Sequence, residues 1–166
     1  MTRIVIANAV SLCAAIFMCL SGLSKSRSRI FFFQFLECAA LIVSQLIFIK
    51  VAGAISMGVG ALRNYLASKN KLTFPLMLVF FIAIGALGIA LNTGGAIGLI
   101  PVFASLIFTL TSFYLKGVVA TRIAVIFNLT LWVVYSVLIF DLVSAACNFI
   151  ALTINVFMLI GRRKRA

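Results

Sequence analysis

Long apolar runs, separated by short polar breaks, follow one another along the whole chain. A run of about 17 to 25 apolar residues is long enough to cross a bilayer as a helix. This pattern predicts seven transmembrane helices, at 4–23, 30–49, 51–68, 73–91, 96–115, 122–140 and 142–160. Two boundaries rest on one charge each, Lys50 and Asp141, so a six-helix arrangement with a re-entrant hairpin is the alternative.

Composition supports the same interpretation. Hydrophobic residues make up 65% of the chain and charged residues 10%. A soluble domain could not cover so much apolar surface with so few charges. No polar break is long enough to form a separate soluble domain. The sequence therefore predicts an all-α integral membrane protein with a single membrane domain over residues 1–166.

The basic residues are divided unevenly between the two sides of the predicted helices. Only Arg3 and Lys50 fall on the side that also holds Asp141, and every other Lys and Arg falls on the opposite side. By the positive-inside rule, the N-terminus faces outward and the C-terminus lies in the cytoplasm, with 161–166 as a basic cytoplasmic tail.

The net charge of +12 does not indicate nucleic-acid binding, because the basic residues flank apolar helices instead of lining one groove. Their expected partners are the anionic head groups of the lipid bilayer. The chain has no His, and its four Cys residues lie inside apolar spans without CxxC spacing. We therefore expect no metal site, no cofactor and no catalytic set, so the protein is not predicted to be an enzyme.

An internal repeat is the most informative pattern. A shift of 93 residues places 6–29 over 99–122, and a shift of 91 places Asn64 over Asn155 and Met57 over Asn148. The order of helix, basic loop, helix, short outer turn, helix and basic end occurs twice. This predicts two parallel three-helix repeats, 4–68 and 96–160, joined by a linker helix at 73–91, a 3+1+3 architecture found in transporters.

The stretch from Arg29 through Gln34 to the Ala-Leu-Arg-Asn sequence at 61–64 resembles the YgjV-type family of bacterial inner-membrane proteins. The 3+1+3 order is similar to the SWEET and PQ-loop superfamily, which includes the PnuC vitamin transporters and the KDEL receptors. These resemblances imply a multi-pass protein of the bacterial inner membrane. The chain departs from the YgjV pattern at Ser44 and Met57, where that pattern has a His and an Asn, so no function that needs the His is expected.

Polar residues inside spans are costly unless they face a cavity or a partner. Asn148 and Asn155 are seven residues apart and therefore share one face of the seventh helix. With Asn64 and Met57 as their counterparts, they are candidates for contact with a neutral polar solute, since an amide both donates and accepts. The resemblance to SWEET proteins, which use an Asn pair in the equivalent helices, implies the same. The alternative is hydrogen bonding between helices that only supports their association.

Glu37 is the one acidic residue inside a span. It lies at nearly the same predicted depth as Arg63, and the second repeat has Thr130 and Ile154 at the two matching places. Joint absence of both charges predicts a structural ion pair between Glu37 and Arg63. Proton coupling by a lone carboxyl is the alternative.

Three further residues have candidate roles. Trp132 and Tyr135 could stack on a ring-shaped ligand, although membrane-facing or packing roles are favoured because aromatic residues are frequent in this chain. Pro101 lies well inside the fifth helix, where it removes a backbone hydrogen bond and could act as a hinge.

These observations favour a transporter or facilitator for a small neutral polar solute, with a central cavity between the two bundles. The alternative is a non-transporting, receptor-like or scaffold membrane protein of the same fold. A water-accessible cavity at Asn148 would favour the first and a dry interior the second. Because one chain holds both bundles, an oligomer is permitted but not required.

Overall fold

The computed structural model describes residues 2–47 and 51–163, and these residues form seven α-helices. The helices are α1 Thr2–Leu23, α2 Arg27–Ile47, α3 Val51–Ser68, α4 Phe74–Ala90, α5 Gly95–Tyr114, α6 Val118–Leu138 and α7 Leu142–Arg163. The predicted number of helices is confirmed for this part of the chain. The predicted boundary at Lys50 lies outside the described residues.

Five of the helices, α1, α2, α5, α6 and α7, are long and apolar enough to cross a membrane. The other two are shorter. α4 has 17 residues, which at about 1.5 Å per residue falls just below the thickness of a typical hydrocarbon core. α3 has 18 residues and carries Arg63.

Several helices extend beyond their predicted ends. α2 begins at Arg27 and α6 at Val118, while α7 continues to Arg163. The predictions left these flanking residues outside the helices because hydropathy marks the part of a helix that suits lipid, whereas backbone hydrogen bonding continues through the flanks. As a result, Arg27 lies on a helix and not in a loop, and Arg122, the first residue of the predicted sixth helix, lies one turn inside α6.

The turn before α7 shows why its boundary depends on one charge. Phe140 adopts a left-handed conformation with φ 58°, and the backbone N–H of Asp141 donates to the Ser136 carbonyl at 2.9 Å. This pattern ends a helix. The Asp141 carboxylate then accepts from the Ser144 backbone N–H at 3.0 Å, so it caps the start of α7.

The helices form two groups of three. In the first group, α1–α3, the middle helix α2 contacts both others, and in the second group, α5–α7, α6 does the same. The groups meet where α1 contacts α7 and where α3 contacts α5. α4 lies against α3 and α5. The contacts of the six group helices thus close a ring, which α4 adjoins at α3 and α5.

The two ends of this ring are built differently. We call the end with the loops 24–26, 69–73 and 115–117 the basic end. The core cluster of large apolar side chains, which includes Ile30, Phe31 and Phe108, lies mainly in this half. Towards the opposite end, the buried residues among the described side chains are only Ala or Ser: Ala7, Ser44, Ala54, Ser136 and Ala145.

Candidate functional site

Arg122 lies at the centre of the contact between α1, α6 and α7. It is 0% exposed. Its guanidinium donates to the carbonyl oxygens of Gly22 and Ser24 at the end of α1 and to Oδ1 of Asn155 on α7 at 3.4 Å. A buried cation needs such partners, and the last carbonyls of a helix are free to accept and carry partial negative charge.

Gly22 permits this close approach. A Cβ at Gly22 would lie 2.9 Å from Nδ2 of Asn155 and 2.9 Å from a methyl group of Ile154. The amide of Asn155 also donates to the Ala151 carbonyl at 2.9 Å. The contact between α1 and α7 therefore depends on a residue without a side chain.

Arg63 makes the corresponding contact between α3 and α5. Its Nη1 donates to Oγ1 of Thr109 at 2.8 Å and to the Ser105 carbonyl at 3.3 Å. The guanidinium lies 4.9 Å from the centre of the Phe108 ring, within cation–π distance. Its Nε and Nη2 donate to Oδ1 of Asn64 at 3.2 and 3.1 Å.

The predicted ion pair between Arg63 and Glu37 is not formed in this structure, because Arg63 is directed to α5. Cys38, the neighbour of Glu37, contacts α3, with its sulfur 3.7 Å from Nδ2 of Asn64. Adjacent residues on a helix point about 100° apart. Glu37 therefore faces a different direction from Cys38.

Arg27 joins the two groups at the basic end. Its Nη1 donates to Oδ1 of Asn70 at 2.8 Å, and its Nη2 donates to the Ser112 carbonyl near the end of α5 at 2.6 Å. The guanidinium also lies 5.0 Å from the centre of the Phe31 ring. Arg27 and Arg122 thus bind the C-terminal ends of α5 and α1, each the first helix of the opposite group.

The three predicted Asn residues do not share one environment. Asn155 and Asn64 are 1% and 3% exposed, and both are hydrogen-bonded to their own neighbours, Arg122 and Arg63. Asn148 is half-buried, and its amide has no hydrogen-bond partner among the described residues. Of the three, Asn148 alone retains an amide free to bind another molecule.

The remaining candidates are half-buried. The rings of Trp132 and Tyr135 lie 5.9 Å apart at 87°, so they contact each other edge to face. Pro101 lies inside α5, which continues through it as a helix. Met57 lies on α3. The roles proposed for them in solute binding or hinge motion remain predictions.

Two clefts among the described residues are lined by neither Asn148 nor Trp132. One, of about 210 Å³, lies at the basic end and is lined by Arg27, Ala67, Asn70, Leu72 and Lys116. The other, of about 230 Å³, lies between α5 and α6 and is mostly apolar. The predicted central cavity at Asn148 is therefore not one of these two clefts.

The interface roles of Arg27 and Arg122 were not predicted from the sequence, where both residues seemed to be topology signals in or beside a loop. A signal does exist in the sequence. Each arginine lies near the start of the middle helix of a predicted repeat. An apolar run follows Arg122 directly and follows Arg27 after Ser28 and Arg29.

Together, the all-helical fold, the five long apolar helices and the arginines buried between helices define a multi-pass helical membrane protein. The family comparison agrees with this class. The chain belongs to the Imp-YgjV family of bacterial inner membrane proteins, whose model matches residues 5–166. No curated protein and no solved structure matches the chain.

Proposed function

We propose that this protein is a facilitator for a small neutral polar solute and that the structure has its basic end closed. One observation carries the proposal. Among the described residues, every side-chain hydrogen bond that joins α1–α3 to α5–α7 lies between the middle of the molecule and the basic end, on Arg27, Arg63 or Arg122.

The distribution of buried side chains supports the same interpretation. Large side chains fill the basic half, and the ring pair Phe31–Phe108, with centroids 6.0 Å apart, crosses between the groups there. Towards the opposite end, the buried residues among the described side chains are small, Ala or Ser. A protein that admits solute from alternate sides needs one end sealed while the other end can separate, and this asymmetry suits that requirement.

The pairing of helices between the two groups also supports the proposal. The α1–α7 and α3–α5 contacts each join the first helix of one group to the third helix of the other, as expected for two parallel repeats related by an axis along the membrane normal. The 3+1+3 resemblance to SWEET and PQ-loop proteins points to the same function. In our proposal the basic end faces the cytoplasm, the N-terminus lies outside, and solute enters from the opposite end near Asn148.

A non-transporting scaffold or receptor-like protein is the second candidate. One observation favours it: the amides of Asn64 and Asn155 each accept a hydrogen bond from an arginine and donate one to a neighbouring residue. Such hydrogen bonding is typical of polar groups that hold helices together. Neither candidate involves a catalytic step.

Water access to Asn148 distinguishes the two candidates. In a background with the four native cysteines replaced by alanine, Asn148→Cys should react in intact cells with a charged, membrane-impermeant thiol reagent. Phe149→Cys is the matched control, because residue 149 is 59% exposed on a neighbouring face of α7 that we assign to lipid. If position 148 reacts no faster than 149, the facilitator proposal is wrong and the scaffold is favoured.

The solute itself can be sought by a thermal-shift screen of the purified protein against sugars, nucleosides, vitamins and amino acids. We expect one class to raise the unfolding temperature of the native protein but not that of Asn148→Leu. Phe149→Leu should respond like the native protein. A solute that stabilises Asn148→Leu equally would place its site elsewhere.

A further inference from the structure

The cleft at the basic end carries two cations, one from each helix group. Arg27 comes from the first turn of α2, and Lys116 from the turn between α5 and α6. Asn70 contributes an amide, and Ala67 and Leu72 complete the lining. Its volume of about 210 Å³ far exceeds the 10–15 Å³ or so that one water requires.

No carboxylate side chain balances these cations. The chain has two acidic residues, Glu37 and Asp141, and neither lines the cleft. Arg27 uses two N–H groups of its guanidinium for Asn70 and Ser112, and a guanidinium has five. Lys116 is exposed, and its ammonium lies 5.0 Å from the centre of the Phe113 ring. The cleft is therefore complementary to an external anion.

An apolar groove, the second cleft, is connected to the basic cleft through two consecutive residues of the chain. Leu115, the residue directly before Lys116, lines the second cleft together with residues of α5 and α6 such as Ile107, Ile123 and Phe127. These three side chains are 36% or more exposed. A soluble phosphate ester has no apolar chain that could occupy such a groove, whereas a phospholipid has its acyl chains.

We propose that an anionic phospholipid binds here, with its phosphate group between Arg27 and Lys116 and one acyl chain along the groove between α5 and α6. The phosphate contacts both helix groups at once and so reinforces the closed basic end. Guanidinium and ammonium groups both bind phosphate through charge-assisted hydrogen bonds. This lipid site is independent of whether the protein carries a solute.

The test is a lipid titration of the intact, detergent-purified protein followed by native mass spectrometry. We expect dioleoyl phosphatidylglycerol to bind more tightly than dioleoyl phosphatidylcholine. Lys116→Gln should weaken phosphatidylglycerol binding about tenfold, the loss expected for one charge-assisted hydrogen bond. Lys116 lies in an exposed turn, so this variant is expected to fold even if an Arg27 variant does not.

Lys71→Gln is the matched control. Lys71 is exposed at the same end and lines neither cleft, so its replacement should leave lipid binding unchanged. If both variants lose phosphatidylglycerol affinity equally, general surface charge accounts for the binding and the proposed site is wrong. If glycerol phosphate without acyl chains binds as tightly as the lipid, the ligand is a soluble phosphate ester and the lipid proposal is wrong.

Discussion

At the residue scale, three arginines join the helix groups, and their surroundings differ in polarity. Arg122 is enclosed by backbone carbonyls and one amide. Arg63 has a hydroxyl, an amide and an aromatic face. The hydrogen bonds described for these three guanidinium groups go to neutral acceptors. Carbonyl oxygens at helix ends and neutral side-chain oxygens therefore help to stabilise these cations, and the loss of one arginine leaves such acceptors unsatisfied.

We predict that Arg122→Gln lowers the free energy of unfolding by about 3 kcal/mol or more, because two charge-assisted hydrogen bonds to carbonyls are lost. Arg29→Gln removes the same charge from an exposed residue and should change that free energy by less than about 0.5 kcal/mol. Unfolding by sodium dodecyl sulfate titration measures both. Similar losses in the two variants would mean that Arg122 stabilises the fold only through net charge.

The partner of Arg63 can be identified by double-mutant cycles. Arg63→Gln combined with Thr109→Val should show a coupling energy of about 1 kcal/mol, since these side chains hydrogen-bond at 2.8 Å. Arg63→Gln combined with Glu37→Gln should show coupling within about 0.5 kcal/mol. A larger coupling energy with Glu37 would show that Arg63 and Glu37 interact, as the sequence predicts.

At the element scale, α4 shows how one glycine can determine helix contact. Gly85 and Gly88 lie one turn apart on this helix and look equivalent in the sequence. A Cβ at Gly88 would lie 2.6 and 2.7 Å from the methyl groups of Val102 on α5, whereas one at Gly85 would meet Leu106 at 3.8 Å. Valine has a stiff χ1 angle, so it cannot easily move away.

Gly88→Ala should therefore destabilise the protein by about 1–3 kcal/mol through overpacking against Val102. Gly85→Ala is the control on the same helix. It has room for the methyl group and should be neutral or gain up to about 1 kcal/mol, because glycine is a poor helix former. Both values come from the same detergent titration. Equal effects would show that α4 is not held at this distance from α5.

At the scale of the whole molecule, the orientation in the membrane follows from charge and helix number. Most of the Lys and Arg residues lie at the basic end, in its loops and at the C-terminal end of α7. Positively charged loops stay on the cytoplasmic side. Seven crossings place the termini on opposite sides. This orientation requires both α3 and α4 to cross the membrane, and these are the two helices that do not belong to the five long apolar ones.

Reporter fusions test this orientation. We predict that green fluorescent protein fused to the C-terminus is fluorescent and that alkaline phosphatase fused there is inactive, because the proposed orientation places the C-terminus in the cytoplasm. Alkaline phosphatase fused after Asp141 should be active. If both phosphatase fusions give the same result, α7 does not cross the membrane. If the activities are reversed, the orientation is inverted or one of the preceding helices, such as α3 or α4, fails to cross.

The candidate site was only partly predictable. Sequence reasoning selected Asn64, Asn155 and Arg63 as polar residues inside spans, and the structure buries all three. It paired Arg63 with Glu37, because closeness in depth says nothing about direction around a helix. It also missed the buried role of Arg122, because a cation near a helix start has the same pattern whether it faces water or a neighbouring helix.

The sequence alone determined that the chain lies in a lipid bilayer, how many helices it has and how unevenly its charges are distributed. The length of an apolar run and the position of a charge are local properties. The tertiary structure decided which helices adjoin and which acceptors each arginine reaches. Arg122 donates to Gly22 across 100 residues of chain, and Arg63 to Thr109 across 46. Such contacts depend on how the helices rotate and pack against one another, which apolar periodicity does not encode in a chain whose outer surface is also apolar.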